Sequence, residues 1–432
     1  MEIWLKPPAE INHRPSWPSL IARGLLSLFL VGCLVEVAKQ TVAAWYAEKE
    51  SPDAIRQAQH WDPSNAEYPE RLAFTLAATS PGVDARDVVP LLEKATRLGP
   101  RRADLWASLG SALESAGRDS DAARAYERAL ELFPQSPQIS WEFANLLIGT
   151  GQEPRAVALL RQASLGDPSL RTGIFDLAWR ARIPRDQIQD IIPAQQEILS
   201  AYLDYLVRTG RLDAAAGVWD RLLASPKSFD LDAAFRYFDA LIYDHRIDAL
   251  PAVWRDLARH DPARIHWQPG NADLIVNGGF EDPILNGGFD WRTPASDGAH
   301  TGFDTTFAYK GARSLFLRFD GTRNLDFGHI VQYVSIRPHT SYRFLAHVRA
   351  EGITTDSGPH IAIYDAVDRK ALALETEDLL GSMDWREQRL EFRTGPQTNL
   401  IVVQVTRHPS RKLDNLISGT LWLDDFSLTE IR

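Results

Sequence analysis

Three periodicities follow one another along the chain. Gly24 to Val35 is an apolar run of twelve residues without a charge, bounded by Arg23 and Glu36. From about residue 55 to residue 265, apolar positions recur every three or four residues, as amphipathic helices require. From His266 the interval falls to two. Ser314–Phe319, Tyr342–Arg349, Gln388–Arg393, Asn399–Val405 and Thr420–Phe426 are short, rich in β-branched and aromatic residues, and separated by Gly, Pro, Asp and Asn. Those segments predict short strands, and several in a row predict an all-β sandwich. The fold class expected is therefore multidomain, α then β. The expected divisions are an N-terminal segment 1–16, an apolar helix 17–45, a helical array 46–265 and a β-sandwich 266–432.

The helical array repeats. Trp106, Leu109, Gly110, Leu113, Ala122, Tyr126, Ala129 and Pro134 form one unit. Thirty-four residues later stand Ala144, Leu147, Ala156, Leu160, Ala163 and Pro168, and thirty-four earlier Leu72, Val88, Leu92, Ala95 and Pro100. This pattern resembles the tetratricopeptide repeat, a pair of helices that buries its apolar face only by stacking on neighbours. Small residues at Gly110 and Ala122 let the two helices approach, Tyr126 and Ala129 fill the seam to the next unit, and Pro134 ends the second helix. The register breaks after Pro168. Gly210, Ala215, Trp219 and Leu222, then Leu250, Trp254, Leu257 and Pro262, repeat the second-helix positions. The resemblance implies an α-solenoid with a groove for a protein partner, or a spacer.

The sandwich segment opens on Asn277-Gly-Gly-Phe-Glu281, and a second Asn-Gly-Gly-Phe follows at 286–289. With Phe289-Asp-Trp291, Tyr309–Leu315, Gln332, Pro338, Tyr342, Trp385 and Leu423–Leu428, these residues resemble the carbohydrate-binding modules with a galactose-binding-like jelly roll, near families 4, 9 and 22. The first Asn-Gly-Gly reads as a strand start with Phe280 entering the core. The second reads as a loop before Trp291. The resemblance implies a structural calcium ion joining the first and last strands, held by Glu281, Asp424 and the main chain around Lys310, with Asp425 as the alternative to Asp424. The other reading is a pair of solvated carboxylates. Glycan binding needs exposed aromatic faces with polar groups beside them. The candidates are Phe303, Phe307, Tyr309, Phe327 and Tyr364, with Gln332 among the polar partners. His360 and His408 have no companion at a metal-ligand spacing and read as surface residues.

Composition narrows the function. Fifty-seven Asp and Glu face 47 Lys and Arg, and no basic stripe is present, so a nucleic-acid partner is not expected. With a single cysteine, Cys33, neither a disulfide framework nor a thiolate zinc site can form. Trp17 to Ala38 reaches the roughly 20 residues a membrane span needs. Lys6, Arg14 and Arg23 precede it, which favours an N-terminus in the cytoplasm. Leu30-Val31-Gly32-Cys33 resembles a bacterial lipobox, which would make Cys33 a lipidation site instead. A buried helix is the third reading. Gly-x-Ser-x-Gly, His-Glu-x-x-His and Walker motifs are missing from the sequence. The expectation is a non-catalytic, single-pass protein of the bacterial inner membrane, with residues after about 45 in the periplasm or outside. Its repeats would bind a protein and its jelly roll a polysaccharide, in exopolysaccharide assembly or export. The alternative is an adaptor without glycan binding.

Overall fold

The computed structural model describes residues 17–79, 82–225, 230–265, 272–413 and 415–431. The expected N-terminal segment 1–16 and the handover at His266 lie outside the described residues. The chain divides into two compact units, Met1–Pro193 and Ala194–Arg432. This differs from the expected division at 265/266, because the last helices pack with the sandwich.

The first unit starts with α1 (Trp17–Ala47), whose stretch Ile21–Ala47 is apolar and long enough to cross a membrane. It is a candidate span or signal sequence. Cys33 is exposed midway along this unbroken helix. The helix does not end where the array begins. Ala43 and Ala47 are already buried with Ile55, Ala58, Tyr68 and Leu72, and the Arg71 guanidinium donates to the carbonyl of Ala47 at 2.9 Å, satisfying a helix-end acceptor.

Four helix pairs follow in this unit. They are α3 (Glu67–Thr79) with α4 (Ala85–Leu98), α5 (Ala103–Ser115) with α6 (Asp119–Leu132), α7 (Pro137–Gly149) with α8 (Glu153–Gly166), and α9 (Arg171–Arg180) with α10 (Arg185–Ile191). A short helix α2 (Pro52–Trp61) precedes them. Gly110 is small because a side chain there would press on the Tyr126 ring. Tyr126 in turn stacks on Phe143 of the next pair at 5.6 Å, as the repeat spacing requires. Each first helix from α5 onward ends in one turn. A residue with positive φ donates back three residues, and the next donates back five: Gly117 to Glu114 and Arg118 to Leu113, Gly151 to Ile148 and Gln152 to Leu147. This is the Schellman arrangement. Arg182 and Ile183 repeat it after α9, so the segment where the sequence register broke is a fourth pair with arginine in the glycine's place.

The second unit holds α11 (Gln196–Arg208), α12 (Leu212–Leu223), α13 (Leu231–Tyr243) and α14 (Leu250–His260), then, among the described residues, nine strands. Gly210 and His245 make the same turns. A five-stranded antiparallel sheet has the order β1 (Ala299–Asp304), β2 (Ser314–Asp320), β9 (Ser418–Ile431), β4 (Ser341–Ile353), β7 (Gly381–Arg393). A four-stranded sheet has the order β3 (Phe327–Ser335), β8 (Leu400–Arg407), β5 (His360–Asp365), β6 (Ala373–Glu375). Their inner faces enclose one core that includes Trp291, Leu317, Phe344, Val348, Ile361, Val403 and Leu423.

The two Asn-Gly-Gly-Phe segments take separate jobs. The first is a turn rather than the expected strand start. Asn277 and Phe280 have φ of 50° and 55°, and a β-carbon on Gly278 would collide with the Phe426 carbonyl. Phe280 is wholly buried against Trp291 and Phe426. Burying a Phe gains about 1.5–3 kcal/mol, which offsets the roughly 1–2 kcal/mol of a left-handed backbone. The second is a seam. Gly287 and Gly288 leave no room for a β-carbon against Phe235 and Trp254. Phe289 lies edge-on to Phe238 at 4.9 Å and to Trp254 at 5.9 Å. Arg292 pairs with Asp239 of α13 at 2.5 Å. These contacts join α13 and α14 to the sandwich.

Candidate functional site

Strand alternation builds a cleft on the outer face of the four-stranded sheet. Ile361 and Ile363 point into the core, so Ala362 and Tyr364 face out, and their pairing with Gln404, Glu375 and Ala373 puts those residues on the same face. The resulting cleft of about 410 Å³ is lined by Asp326, His329, Tyr364, Arg369, Glu375, Gln404, Thr406 and His408 among others. The Tyr364 hydroxyl donates to Gln404 at 3.2 Å, and the Gln404 amide donates to the Gly328 carbonyl at 2.7 Å. The Arg369 guanidinium lies over the Tyr364 ring at 3.7 Å. A half-buried aromatic ring beside carboxylates, amide, imidazole and guanidinium suits a polyhydroxylated ligand, whose C–H faces stack and whose hydroxyls both donate and accept.

The six predicted glycan residues separate. Tyr364 lies in the cleft. Phe327 is 1% exposed and packs against Phe319 in the core, so its ring is withdrawn from any ligand. Gln332 is likewise removed from the candidates. It is fully buried and holds the opening segment, accepting from Val276 N at 3.1 Å and donating to Val276 O at 2.8 Å. Phe303, Phe307 and Tyr309 belong to the side of the five-stranded sheet. The Arg313 guanidinium covers Phe303 at 4.0 Å, and Arg349 covers Phe307 at 4.2 Å. Tyr309, 46% exposed, lies flat on His347 at 3.6 Å. Trp385 is half-exposed beside Tyr309 rather than in the core.

Glu281 and Asp424 both face the loop 309–313, whose amides rather than carbonyls point at them. Asp424 is fully buried, and its carboxylate accepts from the amides of Tyr309 at 2.8 Å, Lys310 at 3.0 Å and Asp425 at 2.7 Å. Glu281 accepts from Ala312 at 2.8 Å and Arg313 at 3.3 Å. Gly311 has φ +76° and leaves no room for a β-carbon beside Glu281. Lys310 thus brings an N–H, not a carbonyl, to Asp424, and its ammonium pairs with Asp425 at 3.2 Å. Asp425 sits in a bulge of β9 with φ 50°. Calcium needs six to eight oxygens, and this loop turns the positive ends of its amides toward the carboxylates. The donor set does not fit calcium. The staple is closed by amides and a lysine. Burial pushes the Asp424 carboxyl up, and the three amides oppose that shift.

The reading of His360 and His408 as isolated surface residues is corrected. His360 is 4% exposed, and its ring lies 5.4 Å from that of His408. Glu375 joins them from β6, with Oε2 3.8 Å from His360 Nε2. No local spacing could reveal this group, because its members lie on or beside three strands and meet only through the sheet register.

Residues 103–146 match the tetratricopeptide repeat family model. The cytochrome c-type biogenesis protein CycH of Pseudomonas aeruginosa is 36% identical over 81 residues, covering 18% of this chain and 20% of that protein. The chain thus spans about a fifth of that relative's length. The solved structure of MamA is 17% identical with a TM-score of 0.26, over 40% of this chain and 84% of that one. A family 4 carbohydrate-binding module is 14% identical with a TM-score of 0.28, over 36% of this chain and 99% of that one. The sandwich is assigned on its own strand order. The chain combines stacked helix pairs, one stretch of which matches the tetratricopeptide repeat model, with an antiparallel two-sheet sandwich.

Proposed function

We propose that this protein is a non-catalytic, membrane-anchored recognition scaffold of the bacterial envelope. Its helical pairs bind a protein, and the four-stranded face of its sandwich binds a polysaccharide. The cleft around Tyr364 carries this reading. There an aromatic ring, two carboxylates, two imidazoles and an amide converge on open volume. The apolar helix Ile21–Ala47 supports an anchor, and the basic residues before it favour a periplasmic location for the remainder. Exopolysaccharide assembly or export is the process that suits such a combination.

Affinity electrophoresis of the detergent-solubilised full chain in gels containing neutral and acidic polysaccharides tests the reading. Retardation by at least one polysaccharide, lost on Tyr364→Ala, is the expected result. Unretarded migration across the panel would leave the adaptor without glycan binding as the better account.

A further inference from the structure

We propose that His360, Glu375 and His408 form a binding site for a divalent transition metal of the zinc class at one end of the cleft. The three side chains arrive from separate elements: His360 opens β5, Glu375 closes β6, and His408 directly follows β8. Register brings them together, since His360 pairs with Thr406 and Ala362 with Glu375. Their ligand atoms all lie within 4.8 Å of one another.

His360 is the central observation. It is almost wholly buried, yet neither ring nitrogen makes a hydrogen bond. An imidazole left in that state has given up its water partners with nothing in return, a penalty that a bound cation would relieve. The Asp378 carboxylate stands 2.9 Å from Nδ1 but out of line for a hydrogen bond. Carboxylates in this place orient metal-bound histidines through the nitrogen away from the ion. Nε2 then faces Glu375 at 3.8 Å. Tetrahedral zinc with bonds of about 2.0–2.1 Å holds its ligand atoms roughly 3.3 Å apart. Closing to that distance requires movement only of Glu375 and His408, both of which are exposed.

The donor set decides the metal. Two imidazoles and one carboxylate suit zinc and its neighbours, whereas calcium and magnesium take oxygen. Three protein ligands leave a fourth position open toward the cleft. The site is independent of the glycan reading, because metal uptake is measured without sugar.

Titration of untagged full chain in detergent with Zn²⁺ against a chromophoric competitor is the test, with melting curves alongside. The expected result is one Zn²⁺ per chain and a rise in melting temperature. His408→Ala and Glu375→Gln, both at exposed positions, should each weaken uptake at least about tenfold, while the metal-free melting temperature stays near wild type. A wild type that takes up no Zn²⁺, or either variant keeping wild-type affinity, overturns the proposal.

Discussion

On the five-stranded side of the sandwich, polar and aromatic groups are occupied with one another. Tyr309 lies on His347, Arg349 covers Phe307, Lys310 pairs with Asp425, and Asp424 and Glu281 take up the amides of the loop that joins β1 and β2. On the four-stranded side, the same kinds of residue line an open cleft. The difference separates a side that holds the fold closed from a side free to recognise a ligand. Aromatic residues near loops are therefore poor guides by type alone. What distinguishes Tyr364 is the open cleft it borders, since its ring carries a guanidinium just as those of Phe303 and Phe307 do.

Changes on the closed side should cost stability and leave recognition aside. Gly278→Val drives a side chain into the Phe426 carbonyl, a backbone group that cannot yield. We expect a loss above about 4 kcal/mol, seen as failure to unfold cooperatively in denaturant. Asp424→Ala orphans three amides and should cost about 2–4 kcal/mol in the same assay. EGTA should not move the wild-type melting temperature, since the loop turns amides rather than oxygens toward these carboxylates. An EGTA-sensitive melt would restore the ion and blur the contrast between the two sides.

The seam with the helices gives a pH test. Burial pushes the Asp290 carboxyl up to about 6, above its ordinary unfolded value of about 4. Its contribution is fully present below pH ~4 and is lost as pH rises through about 6, because the unfolded state gives up its proton first. Acidifying from pH 7 to about 4.5 should relieve about 2 kcal/mol through this group. In Asp290→Asn that part of the pH response should vanish, as read from paired denaturant titrations. An unchanged response would place Asp290 in contact with water.

Much of the architecture is legible in the sequence because its physics is local. The 34-residue spacing fixes Gly110 against Tyr126 and Tyr126 against Phe143, and short apolar-rich segments between turn residues identify the strands. What is hidden depends on partners distant in the chain. The two Asn-Gly-Gly-Phe segments read alike, yet one meets β9 and the other meets Trp254 and Phe235. Gln332 reads as a surface amide until Val276 is seen opposite it. That amides of one loop face Asp424 and Glu281 is shown only by coordinates. His360, Glu375 and His408 have no spacing to betray them, because three strands must pair before they meet.

The smallest energetic effect is the most telling. Truncating a recognition residue in an open cleft should leave stability intact and weaken binding about tenfold or more, on the order of 1.4 kcal/mol. The direct measurement compares polysaccharide affinity of the full chain with that of Tyr364→Ala and Tyr309→Ala, side by side in the same gels. The account predicts that Tyr364→Ala loses retardation while Tyr309→Ala keeps it. Loss on Tyr309→Ala with Tyr364→Ala unchanged would contradict it and move recognition to the opposite side.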